Sequence, residues 1–302
     1  MSRLSAETLG SKYQLVAAWV ELARLTSDVS SVVNGPPDKI YHASSVNKLS
    51  EASEQLLTWF TSLDANLQWT GNCAIPPGTC ALHLQFLSTT ILLNRPFAAY
   101  MFNSGPRSAS RCECLKGQTP EVSQEICTMN ALRISKILLT YREQHGPSKI
   151  FSTINPACLS AAVALISDIV SAKSDEDKTP ERMGLASILK TLEEITPWYP
   201  IAARSRNTLA AILQMCGLSD IPNQLSTDLG NSSMRTSLGH CPGEPSASVT
   251  TTDMDLSFDL GFPFDSIYDI HDIGLPDFYV PPWQIMDSEH WGSEALPDGF
   301  NI

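Results

Sequence analysis

The chain has 302 residues, with 20 lysines and arginines and 32 aspartates and glutamates, so its formal net charge at pH 7 is −12. The net charge arises at one end, because residues 241–302 contain 12 acidic side chains and no lysine or arginine. Contacts to phosphates need clustered basic side chains. The composition therefore excludes a chain that binds DNA through its own charge.

Two amphipathic helices are predicted before residue 70. The first apolar stripe consists of Leu15, Trp19, Leu22, Val29 and Val33, and it ends at Asn34-Gly35-Pro36-Pro37. The second consists of Val46, Leu49, Leu56, Phe60, Leu63 and Leu67. Recurrence every three or four residues is the period of one helix face. No stretch in the first two thirds of the chain alternates with a period of two, so we predict no strands.

The segment "LHLQFLSTTILLNRPF", residues 82–97, is apolar on two opposite faces of a helix. Such a helix belongs inside a larger helical protein or inside a membrane. The uninterrupted apolar run is shorter than the roughly 20 residues that span a bilayer, and Pro96 ends it. We therefore predict a core helix, with His83 as a hydrogen-bonded core residue. Arg95 is expected to cap the helix or to pair with a carboxylate elsewhere.

Four later helices are predicted from a capping side chain that precedes a proline. These starts are Thr119-Pro120, Asn155-Pro156, Thr179-Pro180 and Thr196-Pro197. The matching stops are His145-Gly146-Pro147, the polar run 173–178 and Cys216-Gly217. Residues 1–217 are thus predicted to form an all-α, irregular bundle of about seven helices.

The composition changes after residue 217. Residues 218–252 are rich in Ser, Thr, Gly and Pro and are predicted to form a flexible linker. Residues 253–302 interleave acids with aromatic side chains, which is typical of disordered activation segments. The side chains predicted to bind a partner are Phe258, Phe262, Phe264, Tyr268, Phe278, Tyr279, Trp283 and Trp291.

The helical part carries no recognisable enzyme signature or metal-binding motif. Nucleotide-binding glycine loops, zinc-protease motifs and nucleophile elbows are all missing from the sequence. Cys112 and Cys114 are spaced too closely for a zinc pair, and Cys127, Cys158 and Cys216 lie in apolar stretches that favour reduced thiols. We therefore predict no catalytic, cofactor-binding or metal-binding residues. We also expect Trp19, Trp59, Trp69 and Trp198 to anchor the core.

Glu7 and Glu21 interrupt what would otherwise be the apolar region of an N-terminal secretory signal, so the chain is expected to be intracellular. The acidic cluster "SDEDK", residues 174–178, is expected to form a solvated loop between helices. The flanking lysines Lys173 and Lys178 are expected to neutralise that loop.

The segment 82–97 resembles the pattern L-H-x-Q-[YF]-x-x-x-x-I-L-L-x-R-P-[FY] in the middle homology region of fungal binuclear zinc-cluster transcription factors. The matching residues are Leu82, His83, Gln85, Phe86, Ile91, Leu92, Leu93, Arg95, Pro96 and Phe97. The stretches 16–25 and 49–69 are similar to two other helices of that family. The resemblance covers roughly residues 10–217 and lacks the family's cysteine-rich DNA-binding cluster.

The resemblance implies the regulatory and activation portion of a nuclear transcription regulator. Its partner would be a transcriptional coactivator or related regulator, it would contact DNA only through a missing domain or a partner, and it could form a dimer. The chain is either a shortened regulator or part of a longer reading frame. The alternative is an all-α enzyme or small-molecule-binding protein of a fungal metabolic pathway.

Overall fold

A computed structural model describes residues 3–36, 39–69, 74–101, 114–172 and 177–221. Within these ranges the chain forms seven α-helices and no strand, which confirms the predicted all-α class. The helices are α1 Arg3–Val33, α2 Ala43–Thr61, α3 Pro77–Asn94, α4 Pro120–His145, α5 Asn155–Ser171, α6 Thr179–Ile195 and α7 Pro200–Met215. Residues 222–302 lie outside the described residues, so the predicted linker and tail stay predictions.

The helix predicted to be apolar on two faces, α3, lies in the middle of the bundle. It packs against α1, α2, α4 and α5. Leu82 and Phe86 on one side and Leu87 and Ile91 on the other are all buried. Four neighbouring helices therefore explain why the segment needs apolar side chains on both faces. No described helix combines the length and apolar character needed to cross a bilayer.

The second half of the bundle is built around α4 and α5, each of which packs against α3 and α6. Gly184 lies where α6 crosses α4 and α5. A Cβ atom on Gly184 would lie 3.1 Å from both Leu132 Cδ2 and Ser135 Oγ, and 3.4 Å from Leu165 Cδ1. The absence of a side chain at Gly184 therefore lets α6 approach α4 and α5 closely.

Three of the four predicted helix starts fall within one residue of the observed ones. Thr119 caps α4, because its hydroxyl oxygen accepts a hydrogen bond from the Val122 backbone N–H at 3.4 Å. Asn155 and Thr179 are themselves the first residues of α5 and α6.

The predicted start at Thr196-Pro197 is wrong. Thr196 keeps helical backbone angles and is the C-terminal cap of α6. Its hydroxyl donates to the Leu192 carbonyl at 2.8 Å, and the Tyr199 N–H donates to the Ile195 carbonyl at 3.0 Å. The hydrogen-bonded turn thus continues to Tyr199, and Pro200 begins α7.

The predicted helix stops at Gly146 and Gly217 are confirmed, since both glycines adopt a positive φ, of 77° and 70°. At the second stop, the Leu218 N–H donates to the Leu213 carbonyl at 2.8 Å and the Gly217 N–H donates to the Gln214 carbonyl at 3.2 Å. This pair of bonds is a Schellman motif. Leu218 and Ile221 are buried beyond it, so the packed core extends to Ile221.

The tryptophans divide between core and surface. Trp59 is buried, and Trp19 and Trp69 are partly buried against the core. Trp198 is 50% exposed, so its assignment as a core anchor is wrong. It lies in the short α6–α7 turn, where its backbone N–H closes the turn by donating to the Ile195 carbonyl at 3.1 Å.

Candidate functional surfaces

The side chains predicted to bind a partner lie outside the described residues. This applies to Phe258, Phe262, Phe264, Tyr268, Phe278, Tyr279, Trp283 and Trp291. Their role stays a prediction from composition.

His83, in the segment 82–97, is buried and forms a hydrogen bond inside the core. Its Nε2 lies 2.7 Å from the Leu67 carbonyl oxygen. Because a carbonyl oxygen only accepts hydrogen bonds, Nε2 carries the proton. Burial lowers the pKa of His83, and the hydrogen bond to Leu67 opposes that change. The imidazole is therefore a neutral donor that holds the turn after α2 against α3.

The same segment contributes an aromatic cluster to the α2–α3 contact. The ring of Phe86 stacks on Phe60 with a centroid distance of 4.3 Å and an interplanar angle of 6°, and it lies 5.7 Å from Trp59. Leu82 is buried, and Gln85 donates to the Thr89 hydroxyl on the same helix. These contacts stabilise packing and leave none of the four motif residues Leu82, His83, Gln85 and Phe86 as an exposed reactive group.

The Arg95-Pro96-Phe97 turn anchors the end of α3. Phe97 is fully buried and makes an edge-to-face contact with Tyr41 at 6.0 Å. The Tyr41 hydroxyl donates to the Pro96 carbonyl at 3.1 Å. In the described ranges no carboxylate lies within ion-pair distance of Arg95, so the expected pairing is not found there.

The buried thiols are poor nucleophiles. Burial raises the pKa of Cys80, Cys127 and Cys158 to about 12. They are therefore protonated near neutral pH, and the thiolate is the reactive form. Among the described residues no group of three histidines, cysteines or carboxylates could hold a metal ion.

Two charge networks fix helices inside the second half of the bundle. Asp168, which is buried, accepts hydrogen bonds from Lys178 Nζ at 2.9 Å and Gln124 Nε2 at 2.8 Å. In the second network, Arg142 Nε on α4 lies 2.7 Å from Glu194 Oε2 on α6.

The partner of Lys178, Asp168, is a buried carboxylate of α5. Asp168 could not be identified as this partner from the sequence, because the acids nearest to Lys178 along the chain are Asp175, Glu176 and Asp177.

A groove of about 550 Å³ runs between α1 and α2. Its polar lining includes the carboxylates of Glu21, Glu51 and Glu54 and the guanidinium of Arg24. Arg24 is already engaged by Asp28 at 3.0 Å. The groove is therefore an open, acidic surface.

An exposed apolar stripe follows α1 on the side away from the bundle, and we call it the α1 outer face. It consists of Tyr13, Val16 and Val20, which are 59% to 69% exposed. Their spacing of three and four residues places them on one face of the helix. Exposed contiguous apolar surface is a mark of interaction sites.

A second exposed surface lies on α4, and we call it the α4 outer face. It consists of Met129, Arg133, Lys136 and Leu139, all of which are exposed. Met129 and Leu139 remain 47% and 42% accessible. Two cations three residues apart between apolar residues are visible in the sequence, but their exposure on one face of α4 is known only from the fold.

No family model, no curated protein and no solved structure matches this chain. The candidate surfaces therefore rest on the geometry of the chain itself.

Proposed function

We propose that this chain is the regulatory and activation portion of a fungal transcription regulator of the binuclear zinc-cluster type. It acts in the nucleus and carries no catalytic activity. DNA contact comes from a missing domain or a partner, and the acidic segment 253–302 binds a transcriptional coactivator.

The observation that carries the proposal is the division of charge along the chain. Residues 1–240 hold 20 acidic and 20 basic side chains, whereas residues 241–302 hold 12 acids and no lysine or arginine. Dispersed acids keep bulky aromatic side chains in water, so the aromatics stay available to a partner's groove. A segment that orders only on contact suits weak binding to several partners.

The resemblance of residues 82–97 supports the same proposal. Most residues that match the family pattern serve packing or hydrogen bonding around α3: Leu82, Ile91, Leu93 and Phe97 are buried, His83 bonds to the Leu67 carbonyl, and Phe86 stacks on Phe60. This is the role expected of a structural motif in a regulatory domain. The alternative is an all-α enzyme or small-molecule-binding protein, for which the sequence carries no recognisable motif.

A reporter assay tests the activation segment. Residues 253–302 are fused to an unrelated DNA-binding domain upstream of a reporter gene in yeast, and we expect transcription to rise. Changing Phe258, Phe262, Phe264, Tyr268, Trp283 and Trp291 to Ala should abolish the signal with net charge unchanged. The matched control changes Ser257, Ser266, Ser288 and Ser293 to Ala and should keep it.

A silent reporter at confirmed expression removes the activation claim. A signal that survives the aromatic changes removes the proposed mechanism. The reading frame upstream of Met1 offers a separate test, since an in-frame C-x2-C-x6-C pattern favours the zinc-cluster family over the alternative.

A further inference from the structure

We infer that Thr179 is a phosphorylation site for a proline-directed protein kinase that selects a basic residue three positions after the acceptor hydroxyl. The inference concerns the start of α6, and it holds whether or not the chain regulates transcription.

The first support is the sequence that follows the hydroxyl. A serine or threonine precedes a proline at three positions of the chain, and each time it is a threonine: Thr119, Thr179 and Thr196. The three stretches are "TPEV" from residue 119, "TPER" from residue 179 and "TPWY" from residue 196. Thr179 is therefore the one of the three that has a cation, Arg182, three positions further on.

Proline and arginine at these positions suit one kind of kinase cleft. Proline has no backbone N–H, so a cleft without an acceptor at that point accepts proline and penalises any residue whose N–H would be buried unpaired. A carboxylate further along the cleft pairs with a basic side chain. Pro180 and Arg182 meet both requirements.

The second support is the exposure of the first turn of α6. Thr179 and Pro180 are exposed, and Arg182 is partly buried. Met183 is 54% exposed, and the buried residues of α6 begin at Gly184. The acceptor hydroxyl thus belongs to a surface turn that precedes the packed part of the helix.

A kinase binds its substrate in an extended form, so this turn has to open. The hydrogen bonds that open include the one from the Thr179 N–H to Asp177 Oδ1 at 2.9 Å and the one from the Arg182 N–H to the Lys178 carbonyl at 3.0 Å. The residues from Gly184 onward stay packed. Helix ends open at a small cost in free energy, so the fold leaves Thr179 available to the enzyme.

The surroundings of Thr196 are different. Its hydroxyl donates to the Leu192 carbonyl at 2.8 Å, and the preceding residue, Ile195, is fully buried. Extending the chain there would pull Ile195 out of the core. We therefore expect Thr196 to be a poor acceptor.

The co-reactant of the transfer is ATP. Thr179 Oγ forms a bond to the γ-phosphorus, and the bond from that phosphorus to the oxygen shared with the β-phosphate breaks. ADP leaves with the electron pair, and the hydroxyl proton passes to the catalytic aspartate of the kinase.

Arg182 also provides a partner for the product. The phosphate carries nearly two negative charges, and residues three apart are neighbours on a helix surface. Arg182 now lies 3.4 Å from Asp220, whose side chain is 60% exposed. An exposed pair of this kind contributes little to stability, so the phosphate can replace Asp220.

Phosphorylation of the folded, full chain tests the proposal. The purified chain is incubated with a cyclin-dependent protein kinase, Mg²⁺ and ATP, and peptide mass spectrometry measures the phosphate at each of the three threonines. We expect early incorporation at Thr179 to exceed that at Thr119 and at Thr196 several-fold.

Two substitutions test the role of the cation. Arg182→Gln should lower incorporation at Thr179 several-fold, whereas Arg206→Gln, which removes a comparable exposed pair with Glu193, should leave it unchanged. Val122 is 40% exposed, and Val122→Arg gives the exposed Thr119 the same Thr-Pro-Glu-Arg pattern. Incorporation at Thr119 should then rise several-fold. Circular dichroism checks that each variant keeps its helical content.

Two outcomes overturn the proposal. One is incorporation at Thr179 no higher than at Thr119 and Thr196. The other is phosphorylation of a synthetic peptide of residues 177–186 but not of the folded chain, because the helical body would then protect the hydroxyl. Neither outcome bears on the reporter assay, so failure of this proposal and failure of the activation claim are distinguishable.

Discussion

The helices α3 and α1 are both rich in apolar residues, but the bundle uses them differently. α3 buries twelve of its 18 residues, on every side, whereas α1 buries one face and leaves Tyr13, Val16 and Val20 in solvent. The same residue types therefore stabilise the fold in one helix and form a surface in the other. The number of neighbouring helices decides between these roles, since four helices pack around α3.

The largest expected effect comes from placing a charge in α3. Leu87→Asp or Leu93→Asp buries an unpaired carboxylate, which costs several kcal/mol out of a typical stability of about 5–15 kcal/mol. The matched change Val20→Asp on the α1 outer face should alter the free energy of unfolding by less than about 0.5 kcal/mol. Thermal and denaturant unfolding followed by circular dichroism measure both. If Leu87→Asp melts at the wild-type temperature, α3 is not core and the comparison fails.

An intermediate effect is expected when an inner ion pair is compared with an outer one. Lys178→Met leaves the buried Asp168 carboxylate without its cation, which costs about 3–5 kcal/mol. Arg24→Met removes an exposed i,i+4 pair with Asp28 and should cost about 0–1 kcal/mol. Adding Asp168→Leu to Lys178→Met should restore much of the lost stability. Equal effects of the two single changes on the free energy of unfolding would contradict the burial of Asp168.

The smallest expected effect is a pH dependence that originates at His83. Burial lowers the pKa of this imidazole, so below its ordinary value of about 6.5 the unfolded chain binds protons more readily than the folded chain. The contribution of neutral His83 is complete above that value and is lost as the pH falls toward the folded-state pKa. His83→Gln should therefore flatten the stability profile between about pH 7.5 and pH 5.

The exposed His42 provides the control for that measurement. His42→Gln should leave the decrease in unfolding free energy at low pH as large as in the unaltered chain. An unchanged profile in His83→Gln would show that other groups cause the pH dependence.

Local patterns predicted the type of each helix but not the pairing of side chains between helices. The apolar faces of residues 82–97 and the proline at 96 sufficed to predict a buried helix that ends there. The helix start predicted at Thr196-Pro197 was wrong because a hydroxyl residue followed by a proline also occurs at the end of a helix. The local sequence alone does not distinguish a helix start from a helix end here. The Lys178–Asp168 pair depends on how α5 and α6 pack, which no local pattern contains.

The candidate surfaces show the same limit. The sequence identifies Val16 and Val20 as helical apolar residues, but only the packed bundle shows that no described neighbour covers them. The spacing of Arg133 and Lys136 without nearby acids was visible in the sequence. Their position on the outside of α4 became known only from the fold.

The Schellman turn at Gly217 and the buried side chains of Leu218 and Ile221 extend the packing of the helical body past the end of α7. A chain cut after Met215 would lose this buried apolar surface and the hydrogen bonds that close α7, although it would keep all seven helices. We therefore expect such a chain to unfold at a lower temperature than a chain cut after Ile221.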